Sequence, residues 1–316
     1  MFEIRKFKET DLEFNELARI DNLVNHDSID HPDDDKRDWF LRDKSLVRDR
    51  LLLYDDEIAV GVIYYSQGRE ENCRTAFFTM NIDPKFNIEE SRLLLYNAMR
   101  TEIDKFHCNK IYTNVYEHSN YDLVKEFLIS KDFKHVQTNR EYNCNIKNID
   151  LKKYKPLLNQ LKLAGINFYD SKEEMKDWPN HYEKLEELTW TYHQDFPIPD
   201  GVKHTRTPFK QALKIQKDFE ENYYGTEIVA VKDGRYIGST DLEVYYKSEP
   251  HKAWTNGLGV LKDFRRKGIA TALKIKAIEK LIEKGVTEIR TDNEENNPMY
   301  KINVALGFEP VPFSLE

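Results

Sequence analysis

The sequence has few cysteines, and their arrangement does not indicate a disulfide framework. Cys73, Cys108 and Cys144 are the only three among 316 residues, and they form no C-x-x-C pair. An odd, sparse set of this kind is typical of reduced thiols in a cytoplasm. Long apolar runs are also lacking. The segment from Met1 to Lys8 has no apolar run of the signal-peptide kind, and no stretch approaches the roughly 20 residues of a membrane helix. We therefore expect a cytoplasmic protein with no membrane partner.

An excess of basic residues is lacking as well. The chain has 48 lysines and arginines against 56 aspartates and glutamates, a formal net charge of −8. General nucleic-acid binders carry a basic surface, so no nucleic-acid partner is expected. The acidic balance favours cationic partners such as amines, although the same charge also serves solubility.

The length predicts two domains, and the two halves of the chain follow the same order of landmarks. Three pairs of positions keep a nearly constant separation: 177 for Gly61 and Gly238, 178 for Ile82 and Val260, and 175 for Asp132 and Gly307. Such spacing indicates an internal duplication with the period of a whole domain. We place the boundary near residues 148–155, giving domains 1–150 and 151–316.

The pattern in each half predicts a strand, then helices, then a run of antiparallel strands, and finally alternating strands and helices. In the second half the pattern predicts strands at 166–169, 227–231, 236–246, 253–261 and 286–291, and helices at 180–193, 208–221, 268–284 and 298–306. Because a helix connects 253–261 to 286–291, those two strands should be parallel. The fold class is therefore α/β (α+β), with a mixed, mostly antiparallel twisted sheet flanked by helices in each half.

The segment 259–274 is the first candidate site. A buried strand ends near Val260, a basic turn follows, and Gly268 leads into an amphipathic helix. The first N–H groups of a helix have no partner within it, and the helix dipole places positive charge beside them. Such a junction binds anions, and a coenzyme pyrophosphate fits it. Alone, the pattern equally suits an ordinary helix start that uses glycine for its turn.

A second cluster, residues 291–308, makes the pattern more specific. It contains Asn296-x-x-Met299 and ends at Leu306-Gly307-Phe308. Together the two clusters resemble the GNAT superfamily of acetyl-CoA-dependent N-acetyltransferases. The resemblance covers the second half, and the duplicated order implies two tandem GNAT-like domains. It implies acetyl-CoA as co-substrate, no metal, and transfer of acetyl to a primary amine by direct attack in a ternary complex.

The resemblance also implies roles for individual residues. Strand-edge backbone groups of Leu258 and Val260 would contact the pantetheine arm, and backbone N–H groups from Arg266 to Thr271 would surround the pyrophosphate. Asn293 and Asn296 would bind the pantetheine, or serve as helix caps instead. The whole expected coenzyme site is Leu258, Val260, Arg265, Arg266, Lys267, Gly268, Ile269, Ala270, Thr271, Asn293 and Asn296.

The catalytic groups are less well marked. A protonated amine needs a general base, and strand alternation puts Asp241 and Glu243 on one face, with Glu243 nearer the expected centre. Either could be a solvated strand residue. Family members often have a tyrosine as the acid four residues before the glycine of the Gly-Phe pair, but this chain has Asn303 there. Tyr300 is the substitute, or else a packing residue.

The segment 193–200 follows the first long helix of the second half, where this family builds its acceptor pocket. Trp190 and Phe196 are expected to line that pocket, and Asp195 to hold a cationic group. A rigid proline-containing connector is the alternative. These residues do not identify the acceptor, which is either a small molecule or a protein. They also do not distinguish acetyl from other acyl groups.

The first half departs from the pattern at the equivalent turn. After Phe86 it has no glycine and two acids, Glu89 and Glu90, which would repel a pyrophosphate. We expect this domain to bind no coenzyme. The segment 26–35 contains metal-ligand residue types but no ligand spacing of a known site, so we expect an acidic loop ahead of a helix and no metal. A non-catalytic CoA-binding or protein-interaction scaffold is the alternative function, and the protein is expected to be a monomer or homodimer.

Overall fold

The computed structural model describes residues 1–25, 27–69, 74–199, 204–222, 225–245, 247–297 and 299–315. The chain divides into two compact units. Unit 1 consists of Met1–Asn139, Ile198–Thr205 and Pro312–Glu316, and unit 2 of Arg140–Pro197 and Arg206–Val311.

Unit 1 is a five-stranded mixed sheet with helices on both faces. Its strands are β1 (Phe2–Lys6), β2 (Arg48–Asp55), β3 (Ile58–Gln67), β4 (Thr75–Ile82) and β5 (Lys110–Thr113). They lie in the order β1-β2-β3-β4-β5, antiparallel except for the parallel pair β4 and β5. The helices are α1 (Asp11–Val24), α2 (Pro32–Leu41), α3 (Glu89–Ile103) and α4 (Ser119–Ser130). A short strand, β6 (Val115–Tyr116), pairs with Ser314 and Leu315.

Unit 2 repeats this plan with additions. Its strands are β7 (Thr138–Asn145), β8 (Ile166–Asp170), β9 (Thr226–Lys232), β10 (Arg235–Glu243), β11 (Lys252–Val260), β12 (Glu288–Glu294) and β13 (Glu309–Leu315), in the order β13-β7-β12-β11-β10-β9-β8. Its helices are α5 (Lys155–Leu163), α6 (Ser171–Glu174), α7 (His181–His193), α8 (Phe209–Asn222), α9 (Ile269–Glu283) and α10 (Tyr300–Ala305).

The duplication inferred from the sequence appears at the level of strand register. Gly61 of β3 pairs with Ile82 of β4, and Gly238 of β10 pairs with Val260 of β11. The parallel pair β4 and β5 of unit 1 corresponds to the parallel pair β11 and β12 of unit 2. The predicted tandem fold and the predicted parallel pair are therefore confirmed.

Each sheet is buried on both faces. In unit 2, α9 packs over one face on a cluster that includes Leu273, Ile278 and Leu281, all at most 1% exposed. On the other face, Leu185 and Leu188 of α7 pack against β9 and β10. The result is a three-layer helix–sheet–helix arrangement, which places α9 and α7 on opposite sides of β11.

Most predicted elements lie within a residue or two of the observed ones, which is the normal spread at element ends. Tyr246 and Pro298, the predicted end of one strand and start of one helix, lie outside the described residues, as does Cys73. The compact units divide before Arg140, so residues 140–150 pack in unit 2 although the sequence placed them in the first domain. The functional division between the two domains stays a prediction.

In its described part, the acidic segment 26–35 is a loop as far as His31 and a helix from Pro32, so the predicted loop ahead of a helix is shorter than the segment. Pro32 begins α2, and His31 caps it by accepting a hydrogen bond from the Asp33 N–H at 3.1 Å. Asp35 forms a bidentate pair with the buried Arg50. Its acids therefore stabilise a helix start and a buried cation; His26 lies outside the described residues. Among the described residues, no three His, Cys, Asp or Glu side chains gather as a metal site would require.

None of the described helices combines the length and the apolar character needed to cross a bilayer.

Candidate active site

The central strands of unit 2 separate beside the candidate site. The parallel ladder of β11 and β12 runs only from Lys252 and Glu288 to Trp254 and Arg290. Beyond it, β11 continues to Val260 and β12 to Glu294 with no further pairs between them in the described structure. We call the gap between 255–260 of β11 and 291–294 of β12 the opening. Along it, β11 presents a strand edge that an extended ligand can pair with.

The start of α9 lies at the end of β11 and has several free amides. Among the described residues, the six backbone N–H groups from Arg266 to Thr271 have no hydrogen-bond acceptor. The first helical N–H with a partner is that of Ala272, which donates to the Gly268 carbonyl at 3.0 Å. We call residues 266–271 the amide cradle. Free amides together with the positive end of a helix dipole form an anion site.

The backbone shape of the cradle depends on Gly268. Its φ is +82°, a region that side chains rarely adopt, and an added Cβ would lie 2.6 Å from Leu157 Cδ1. Any other residue here would strain the turn and disturb packing on α5. The glycine is therefore required for the conformation that leaves the amides free.

The basic side chains of this turn have structural contacts. Arg265 Nε donates to the Val260 carbonyl at 2.8 Å, and its Nη2 donates to Asp195 at 2.6 Å. Lys262 also pairs with Asp195, at 2.9 Å. These two cations hold the pKa of the Asp195 carboxyl below its ordinary value. The expectation that Asp195 holds a cationic acceptor is therefore not supported, because its carboxylate already has two cationic partners. Arg266 and Lys267 are exposed at the rim of the cradle.

On the opposite face of the sheet, the buried Glu227 and the half-buried Asp241 lie side by side. Glu227 of β9 and Asp241 of β10 are direct cross-strand partners. Burial, followed by the neighbouring Asp241 charge, raises the pKa of Glu227 to about 8. Burial raises the pKa of Asp241 to about 6. We call these two residues the acidic pair; carboxyls with such pKa values exchange protons near neutral pH.

Tyr192 of α7 lies against the same part of the sheet. Its hydroxyl shares a hydrogen bond with Ser239 Oγ at 3.1 Å, and burial raises its pKa. A Cβ on Gly259 would lie 2.1 Å from atoms of the Tyr192 ring. The bare backbone of β11 at Gly259 thus lets the ring lie directly on the strand, close to the end of the opening.

The expected acceptor and base residues fall in different places. Phe196 stacks on Tyr192 at 5.8 Å between ring centres. Trp190, two residues from Tyr192 on α7, lies on another face of the helix, where Arg206 approaches its ring at 6.0 Å. Glu243 is half-buried and accepts a hydrogen bond from Asn256 at 2.9 Å. The structure therefore places Phe196 on the same side of the sheet as the acidic pair, whereas Trp190 lies away from this site.

The asparagines beside the opening form a chain of hydrogen bonds. Asn303 Nδ2 donates to Asn293 Oδ1 at 2.8 Å, and Lys274 Nζ donates to Asn303 Oδ1. Burial lowers the pKa of Lys274 to about 7. Asn296 differs: its side chain and N–H both donate to Glu294, so it stabilises its own turn. Tyr300 is half-buried at the start of α10.

Residues 182–306 match the sequence model of the Acetyltransferase (GNAT) family. This part of the chain is a GNAT domain. The whole chain resembles a tandem GNAT protein from the clavulanic acid biosynthesis pathway, with a TM-score of 0.76, 17% identity, and coverage of 100% of this chain and 97% of that one. A GCN5-related N-acetyltransferase from Sphaerobacter thermophilus is also similar, with a TM-score of 0.68, 15% identity, and coverage of 99% and 94%. No curated protein sequence matches the chain. At these identities the structural likeness shows the fold, which is that of a tandem GNAT protein.

The turn of unit 1 that corresponds to the cradle is built differently. The Ile88 N–H donates to Ser91 Oγ at 3.1 Å, and Arg92 donates to the carbonyl and side chain of Asn87. Glu89 and Glu90 lie exposed in the first turn of α3. Absence of coenzyme binding in this unit stays a prediction.

Sequence reasoning missed Glu227, Tyr192 and Lys274. A glutamate inside the buried run 226–231 was a usable signal, because an unpaired charge rarely lies in a strand interior. Tyr192 gave no signal, and the helical periodicity predicts Lys274 on the outer face of α9, whereas the structure has it only 4% exposed.

Proposed function

We propose that this protein is an N-acetyltransferase that uses acetyl-CoA and a primary amine, with both sites in unit 2. The amide cradle carries the proposal, since six free N–H groups at a helix start offer a pyrophosphate more donors than any single side chain could. The opening supports it, because the free edge of β11 can pair with the amide groups of a pantetheine arm. Arg266 and Lys267 add positive charge at the rim.

The acceptor is proposed to approach from the Tyr192 side of β11. An alkyl amine with a pKa near 10.4 is protonated at pH 7, and presenting it neutral costs roughly 4.6 kcal/mol. The acidic pair can accept that proton directly or through water, and replaces Glu243 as the proposed base. The amine nitrogen then attacks the thioester carbonyl, a backbone N–H near Val260 stabilises the oxyanion, and the C–S bond breaks. As that bond breaks, the nitrogen loses its second proton and the leaving thiolate takes one up, so the products are the acetylated amine and the free thiol of CoA.

Thr271→Asp tests the cradle without damaging the helix. Thr271 lies in the first turn of α9, where a carboxylate favours the helix dipole and so preserves folding. The same carboxylate occupies the cradle and repels a pyrophosphate. We expect acetyl-CoA affinity measured by calorimetry to fall at least tenfold, while Thr271→Asn, of the same shape but neutral, changes it much less.

A wild-type protein that fails to bind acetyl-CoA at millimolar concentration would overturn the proposal. Release of CoA thiol with a panel of amines then separates an enzyme from a non-catalytic coenzyme-binding scaffold.

A further inference from the structure

A buried lysine lies behind the opening. Lys274 is 4% exposed, and among the described residues no carboxylate forms an ion pair with it. Its partners are the Asn303 side-chain oxygen and the face of the Phe308 ring, whose centre is 4.6 Å from Nζ. An ammonium group buried in this way is costly, so a core position would ordinarily hold an apolar side chain.

The lysine fixes the direction of the hydrogen-bond chain. With a pKa of about 7, Lys274 is mainly an ammonium group below neutral pH, and because an ammonium group only donates, the group of Asn303 that faces it there must be the oxygen. Asn303 then donates from Nδ2 to Asn293, across a distance of 2.8 Å. The atom of Asn293 that accepts this hydrogen bond must be its Oδ1. Without the lysine, either amide could turn over at equal cost.

The remaining group of Asn293 is therefore a donor. Asn293 lies on the part of β12 that lines the opening, and in the described structure its Nδ2 has no hydrogen-bond partner. Asn303 is 2% exposed and Asn293 half-buried, so the chain runs from the core to the opening. The hydrogen bond from Asn303 thus sets the orientation of the Asn293 amide, and its Nδ2 is left to donate elsewhere.

We propose that Lys274 is a positioning residue: through Asn303 it orients the Asn293 amide so that Nδ2 donates to a carbonyl oxygen of the coenzyme's amide-containing arm. This inference rests on the proposed function, because the ligand is the proposed coenzyme. It assigns Asn303 a positioning role at the place where the related family has a tyrosine.

Asn303→Asp separates this role from a purely structural one. The new carboxylate pairs with Lys274, so the thermal midpoint is expected to stay the same or rise. A carboxylate cannot donate, so Asn293 must turn its Nδ2 toward the new carboxylate and away from the opening. The affinity for acetyl-CoA, measured by calorimetry on the full chain, is expected to fall about five- to tenfold, the loss of one hydrogen bond.

Asn293→Ala provides the matched comparison. It should weaken binding by a similar factor, and adding Asn303→Asp to it should cause no further loss, because both changes remove the same bond. A further loss in the double variant would show that the new charge repels the coenzyme directly, and would overturn the proposal. Unchanged affinity in Asn303→Asp would also overturn it.

Lys274→Met keeps the experiment decisive if Asn303→Asp does not fold. It frees Asn303 to turn over, and about a twofold loss of affinity is expected, since either orientation of the amide then has equal cost. Wild-type affinity in this variant would contradict the inference. If wild-type protein binds acetyl-CoA and Thr271→Asp binds it at least tenfold more weakly, the proposed function stands whichever result these variants give.

Discussion

Replacing Glu227 with glutamine should stabilise the protein in a way that depends on pH. Burial raises the pKa of this carboxyl from 4.5 to about 8 in the folded chain. A raised carboxyl pKa means that the native state holds the proton more tightly than the unfolded chain. The resulting stability is fully present below pH 4.5 and is lost as the pH rises to about 8. Glutamine stays neutral, so the variant keeps this stability as the pH rises.

The size of the effect follows from the shift. At 1.36 kcal/mol per unit, a shift from 4.5 to about 8 corresponds to at most about 5 kcal/mol at pH 8.5. Part of the pKa shift of Glu227 comes from the nearby Asp241 charge, and the two carboxyls titrate as a pair. We therefore expect the variant to gain about 1–3 kcal/mol in unfolding free energy at pH 8.5. Gln216, which donates to Glu227 at 2.9 Å, can donate equally to the new amide oxygen.

Urea unfolding at pH 5 and pH 8.5 measures this difference. Tryptophan fluorescence reports mainly on unit 2, which contains three of the four tryptophans, Trp178, Trp190 and Trp254. Glu221→Gln, an exposed change on α8, controls for the loss of one negative charge. A Glu227→Gln difference that is the same at both pH values would refute the assignment of a protonated, buried Glu227.

Two further changes test packing around the site. Gly259→Ala places a Cβ 2.1 Å from the Tyr192 ring, so the ring must move, and we expect a loss of about 1–3 kcal/mol in unfolding free energy; an unchanged thermal midpoint would contradict the close approach. Glu141→Ala removes the buried carboxylate that Arg290 now meets at 2.8 Å, and should cost about 3–5 kcal/mol. The double variant Glu141→Leu, Arg290→Met should recover most of that loss, and its failure to do so would show that the pair contributes more than mutual neutralisation.

Much of the fold could be predicted because its signals are local. Apolar periodicity defines α9, and the spacing of Gly61 and Gly238 reveals the duplication, since both residues hold the same place in their ladders. The compact units divide before the domain boundary that the sequence predicted, because β7 lies in the sheet of unit 2, between β12 and β13. Pairing between strands far apart in sequence leaves no local pattern.

The cradle was also readable from the sequence, because a glycine, a turn and a helix start are consecutive residues with fixed backbone chemistry. The roles of Asp195 and Trp190 were not readable, and the place of Glu227 in an apolar run indicated its burial but not its charge state. The charge state of a carboxyl depends on what is packed around it: Asp195 meets Lys262 and Arg265, whereas Glu227 meets Asp241 and the protein interior.

By itself the sequence determined the tandem order, the parallel central strands and the helix start that offers free amides. Only the tertiary structure decided which acids are buried together, which cations are already paired, and that Lys274 sets the direction of an amide chain ending at the opening. The first set follows from backbone geometry over neighbouring residues. The second follows from desolvation and hydrogen bonding between residues that only folding brings together.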